Sequence, residues 1–222
     1  MDIDDFKNKI YKEDYIQNGI RVMKKYLFPS LENQSCKNFI WILKLGDKAN
    51  ITYIKSLLNF TTVFEKDVIY QNDIRNYTRK ITKGYDILIT TRIDCDDRLY
   101  YDSVHDVIKA INIDKPMALY GYNRGAYYFE SDNSYYDVTQ EYKNQGSIFA
   151  SLIAILSKVN DTYNIFDLGT QQIIKFLPEF PNSRFIPNLR EYSRTRELFH
   201  KKNSRKIPDS GIILENNNII IK

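Results

Sequence analysis

Apolar positions change their period several times along the chain, and each change marks an element. Residues 1–17 show no clear period. Ile20, Met23, Leu27 and Leu31 then recur at helical spacing, which predicts a helix that ends or bends near Pro29. The run from Phe39 to Leu45 is almost unbroken and lies between Asn38 and Gly46-Asp47. It reads as a strand buried on both faces, as in parallel sheets. Ile51, Ile54, Leu57 and Leu58 predict a helix, Val68-Ile69-Tyr70 a short strand, and residues 72–83 a polar helix. Residues 86–91 form the next apolar run, and Val104, Val107, Ile108 and Ile111 an amphipathic helix.

The first half therefore alternates strand and helix, the pattern of a parallel sheet with crossover helices. The second half differs. Residues 117–122 and 125–129 predict two strands with a hairpin turn at Asn123-Arg124, and residues 147–156 an apolar helix. The tail, with Gly211 to Leu214 and Ile219 to Ile221 about three asparagines, predicts a hairpin. The fold class expected is α/β, as a single domain.

Composition narrows the function classes. Of 222 residues, 43% are hydrophobic and 27% charged, so the chain can bury a core. The formal charge of +4 falls short of the excess of an obligate nucleic-acid binder. No apolar run is long enough for a transmembrane helix, and the start lacks a secretory pattern. Two cysteines, Cys36 and Cys95, do not make a disulfide framework, so a reduced, cytoplasmic setting is expected. High Ile, Lys, Asn and Tyr with only 8 Gly resembles the bias of an AT-rich genome, which devalues raw counts of Lys and Asn.

The most informative residues are Asp94, Asp96 and Asp97, after the apolar run at 86–91. Three crowded carboxylates are costly inside a strand but suit the carboxyl end of one, where open α/β sheets bind ligands. There they can hold a hard divalent cation such as Mg²⁺ or Mn²⁺, or form a solvated turn that caps the next helix. An EF-hand is excluded, because its sixth and twelfth positions hold Leu99 and His105.

The segment Thr91-Arg92-Ile93-Asp94-Cys95-Asp96-Asp97 resembles the TRLDxDD motif of the putative rhamnosyltransferase family, a branch of the GT-A glycosyltransferases. Arg21, Leu27-Phe28, Pro29-Ser30, Gln34 and Phe39 to Trp41 resemble that family's R…LF…PS…Q…F.W stretch, and His200 to Asn203 its H-x-x-N. The resemblance implies a GT-A-like, Rossmann-type mixed sheet flanked by helices. The family's opening strand is not evident before residue 18, so the first strand is missing or diverged. Residues 18–100 would bind the nucleotide sugar, 101–206 would shape the acceptor site and a basic lid, and 207–222 would form the hairpin.

By the same resemblance Arg21, Arg92, Asp94, Asp97 and Asn203 would contact the donor, and Asp96 and His200 would hold a Mn or Mg ion. The donor would be a nucleotide-diphosphate sugar and the acceptor a carbohydrate hydroxyl, with inversion. An inverting reaction needs a general base, for which Asp167 and Glu191 are candidates; Asp167 fits a helix N-cap as well. From Arg184 to Lys206 eight basic residues outweigh two acids, which suits a lid over a diphosphate, an ordinary solvated face, or a peripheral membrane contact. Specific nucleic-acid recognition is not expected, because few aromatics interleave the basic residues. Tyr120, Tyr122, Tyr127 and Tyr128 fit either an acceptor wall or sheet packing, and His105 a surface position. The rival to an enzyme is a non-catalytic binding or assembly module of the same fold.

Overall fold

The computed structural model describes residues 11–95, 97–99, 101–120 and 151–159, and the backbone of 126–129, 134–137, 193–195 and 213–214. It begins with a long bent helix. Helix α1 (Glu13–Val22) carries Glu13 and Asp14 in its first turn, where the helix dipole favours acids. A π-helical turn (Met23–Leu27) leads into α2 (Phe28–Glu32), and the Phe28 N–H bonds the Met23 carbonyl. Pro29 therefore does not end the helix. It sits in the first turn of α2, and the wider π turn makes room for a ring that would clash in a regular helix.

Strand β1 (Ile40–Leu45) follows, then α3 (Ile51–Leu57), whose N-cap Asn50 accepts from the Tyr53 N–H at 3.0 Å. Strand β2 (Glu65–Tyr70) pairs with β1 in parallel, from Ile40 opposite Glu65 to Leu45 opposite Tyr70. Helix α4 (Ile74–Ile81) ends in a turn that needs Gly84 at φ 89°, and β3 (Ile87–Thr91) follows. Helix α5 (Ser103–Lys109) and strands β4 (Met117–Tyr120), β5 (Ala126–Phe129), β6 (Ser134–Asp137), β7 (Ser151–Ile155), β8 (Ser193–Thr195) and β9 (Ile213–Leu214) complete the described elements. The protein is a mixed α/β fold, and no described helix is long and apolar enough to cross a membrane.

Three sheets form among the described residues. One is β1-β2, one has the order β3-β7-β4, and one the order β8-β5-β6-β9. The expected helix at 147–156 is corrected. Residues Ser151–Ile155 are a strand, buried throughout and antiparallel to both β3 and β4. A short apolar run does not distinguish a central strand from a buried helix by period alone, and here pairing on both edges decides. The expected hairpin of residues 117–122 with 125–129 is also corrected, since β4 pairs with β7 and β5 with β6 and β8. The turn at 123–124 and the tail from 215 onward lie outside the described residues. Ile213–Leu214 pairs with β6.

The main core joins the bent helix to the first sheet. Leu27, Phe28 and Leu31 pack with Trp41, Ile54, Leu58, Phe64 and Val68. Phe28 stands edge-on to Trp41, with ring centroids 4.9 Å apart. Strand β1 is not buried on both faces as expected; apart from Trp41 its residues are half-buried or exposed. The cause is a groove of about 950 Å³ between β1 and β3, which no ladder bridges among the described residues.

Candidate functional site

The site is built at the end of β3, where the chain leaves the sheet in an alternating segment. Ile93 and Cys95 pack on the main core and Leu99 belongs to it. Arg92 and Asp94, with Ile93 and Cys95 between and after them, line the groove beside this core. The Arg92 guanidinium lies 3.4 Å from the Asp94 carboxylate, both about one-third exposed. The Asp97 N–H bonds the Asp94 carbonyl at 3.2 Å, which folds the acidic stretch into a turn. The Asp97 side chain is fully enclosed, at 0% exposure.

The chain that follows this turn is held by the end of the bent helix and the residues just after it. Ser30, buried in α2, donates to the Leu27 carbonyl at 2.7 Å, and its oxygen accepts from the Leu99 N–H at 3.2 Å. Gln34 donates to the Ser30 carbonyl at 3.0 Å and accepts from the Val104 N–H at 3.1 Å. The Ser35 N–H reaches the Tyr101 carbonyl at 2.9 Å. Residues 30–35 thus grip the chain on the carboxyl side of the acidic turn at three points. Ser30 and Gln34 were legible only as part of a resemblance; their bracing role came from tertiary contacts.

A second cation joins the site. Lys44, near the end of β1, lines the same groove as Arg92 and Asp94. Burial, and then the nearby charge of Arg92, push its ammonium below the usual lysine range. A lysine inside an apolar run resembles a strand-edge residue, so no sequence signal marked it. On the floor of the sheet, Thr91 and Ser151 hydroxyls lie 2.6 Å apart across the β3-β7 pair.

The structure brings Arg92, Asp94 and Asp97 into one turn. It does not bring Arg21 there: Arg21 is exposed on α1 and donates to Asn18 at 2.8 Å. Asp96, Asp167, Glu191, His200 and Asn203 lie outside the described residues, as does Tyr122. Among the described residues no three His, Cys, Asp or Glu side chains gather as a metal site. His105 is exposed, Tyr120 is buried in β4, and Tyr127 and Tyr128 stand opposite Tyr136 and Tyr135 in the β5-β6 register. Of the basic stretch 184–206 only Ser193–Thr195 is described, as a strand parallel to β5.

A family model described as "Putative rhamnosyl transferase" matches residues 2–195. No curated protein and no solved structure matches the chain.

Proposed function

The chain belongs to the family described as "Putative rhamnosyl transferase", and from that premise we propose that it moves a sugar from a nucleotide-diphosphate donor to a carbohydrate hydroxyl in the cytoplasm. The observation that carries this reading is the braced turn at the end of β3. Asp94, paired with Arg92, lines one groove together with Lys44. Cations so placed suit the phosphates of a donor, and carboxylates suit its sugar hydroxyls or a hard metal ion.

In this reading Arg92 and Lys44 meet the diphosphate and Asp94 orients the donor. The enclosure of Asp97 makes it a support beneath the turn, in place of the donor contact that the resemblance implies. A turn rich in carboxylates fits a hard divalent cation, and Asp96 with His200 would hold Mn²⁺ or Mg²⁺. Such an ion supplies neutralisation of charge on the leaving diphosphate. Asp167 takes the proton of the acceptor hydroxyl as its oxygen bonds to the anomeric carbon and the bond to the diphosphate breaks, with inversion. Asn203 and the basic stretch from Arg184 to Lys206 close over the donor. Arg21, on the exposed face of α1, is not needed for this arrangement.

The test is donor hydrolysis or transfer with Mn²⁺, comparing wild type with Asp94→Asn, Asp96→Ala and His200→Ala. Each substitution should lower kcat/KM by at least about a hundredfold, or roughly 2.7 kcal/mol of transition-state stabilisation. Equal rates in all four proteins refute the site. Calorimetry with a panel of nucleotide sugars separates an enzyme from a non-catalytic module, since binding of none of them favours the module.

A further inference from the structure

The edge of the sheet opposite the acidic turn carries features that the candidate site does not use. β3 and β4 both run antiparallel to β7, so residues 82–86, 112–116 and 156–158 meet there. Two backbone bonds tie them together. The Leu156 N–H donates to the Asp86 carbonyl at 2.8 Å, and the Ile155 N–H to the Pro116 carbonyl at 2.9 Å. The chain reaches this edge by two tight turns. The Tyr85 N–H closes one on the Thr82 carbonyl at 3.0 Å, with Gly84 at φ 89°, and the Lys115 N–H closes the other on the Asn112 carbonyl at 3.1 Å. Each turn holds an apolar side chain out in water: Tyr85 is 69% exposed and Ile113 65%, the highest values among the large apolar residues described. Each also carries an exposed lysine two residues away, Lys83 and Lys115. Exposed Lys158 follows β7, and exposed Lys80 and Lys109 lie in the last turns of α4 and α5, which lead into the same two turns. Asp86 and Asp114 are the acids of the three segments, so cations outnumber them at this edge. Compositional bias explains the number of lysines but not their place beside the two exposed apolar residues.

Single exposed apolar residues are common, but two raised on adjoining tight turns, each beside a lysine, form a patterned surface. A protein partner is a poor match for it, because lysine is depleted from protein interfaces. A bilayer with anionic headgroups matches both kinds of side chain. Its phosphates attract lysines, and its acyl boundary takes up apolar tips while a tyrosine ring sits at headgroup depth. We propose that this edge docks on an anionic membrane surface, with Tyr85 and Ile113 entering the headgroup layer and Lys83, Lys109, Lys115 and Lys158 meeting lipid phosphates. Docking there leaves the acidic turn clear of lipid, since the length of β3, roughly 16 Å, separates the two ends. The inference is independent of the proposed chemistry, because none of these residues takes part in it.

The test is sedimentation of the full-length chain with vesicles of phosphatidylcholine, alone or mixed equally with phosphatidylglycerol. Partition onto the anionic vesicles should be at least about tenfold stronger and should weaken as salt rises. Lys83→Glu with Lys115→Glu should lower it about tenfold or more, and Tyr85→Ser with Ile113→Ser by a similar factor. All four positions are exposed, so both double variants should melt with the wild type in circular dichroism. Tyr85→Trp locates the contact. Brominated lipid should quench its added fluorescence but not that of wild type, whose one tryptophan is the buried Trp41. Equal partition onto the two vesicles overturns the proposal, as does binding that survives either double variant or an indole at position 85 that brominated lipid leaves unquenched. A dimer in light scattering that Ile113→Ser dissolves also overturns it, by assigning the edge to a second copy of the chain.

Discussion

Single side chains show how the site balances charge. Lys44 shares its end of the groove with Arg92, whose guanidinium pairs with Asp94. Lys44→Met should weaken binding of a nucleoside diphosphate by about tenfold, or ~1.4 kcal/mol, and leave binding of the uncharged nucleoside unchanged, by calorimetry. Tyr77 offers a separate reading of local electrostatics. Burial, and then the negative charge of Asp67 and a hydrogen bond to it, push the phenol from 10.0 up to about 12. The folded state therefore holds this proton more tightly than the unfolded one. The stabilisation is complete below pH 10 and is lost as pH rises toward 12. Urea titrations should show wild type losing stability over that window more steeply than Tyr77→Phe. At this scale the sequence flagged Arg92, Asp94 and Asp97 through their crowding. It passed over Lys44, because a charge amid apolar neighbours gives no hint of what it will face.

Elements carry the next level of the argument. The bent helix supplies apolar side chains to the core, and Ser30 in it and Gln34 just after it bond the chain that follows the acidic turn. Gln34→Leu would strip the Val104 N–H of its partner, costing about 1–3 kcal/mol in urea denaturation. Because the same bond steadies the turn, that variant should also lose transfer activity. Leu27→Ala, in a fully packed position of the same helix, should cost about 2–5 kcal/mol by leaving a cavity, with little effect on how the turn is gripped. Comparing the two separates bracing from packing. The period of 20, 23, 27 and 31 revealed the helix, but the continuation past Pro29 depended on a π turn that no residue pattern announces. The strand at 151–155 reads as part of a helix in sequence for a related reason. Five buried residues are too few to display a period, and their conformation follows from the strands on each side.

For the whole molecule, β7 is the member that joins distant parts of the chain. It lies between β3 and β4, which are earlier in sequence, and pairs Thr91 with Ser151 across 60 residues. Ile153→Pro would break ladder bonds in the middle of a three-stranded sheet, and a cooperative thermal transition should be lost in circular dichroism. The sequence by itself determined the alternation of strand and helix up to residue 111, the apolar content of the core, and the acidic turn at a strand end. These are local properties, set by side-chain period and by the cost of burying carboxylates. Only tertiary structure decided which strands pair, that the sheet is divided between β1 and β3, and that Ser30 and Gln34 steady the acidic turn. Those outcomes depend on contacts between residues far apart in the chain, and a linear pattern of apolar and polar positions does not encode which distant edge meets which.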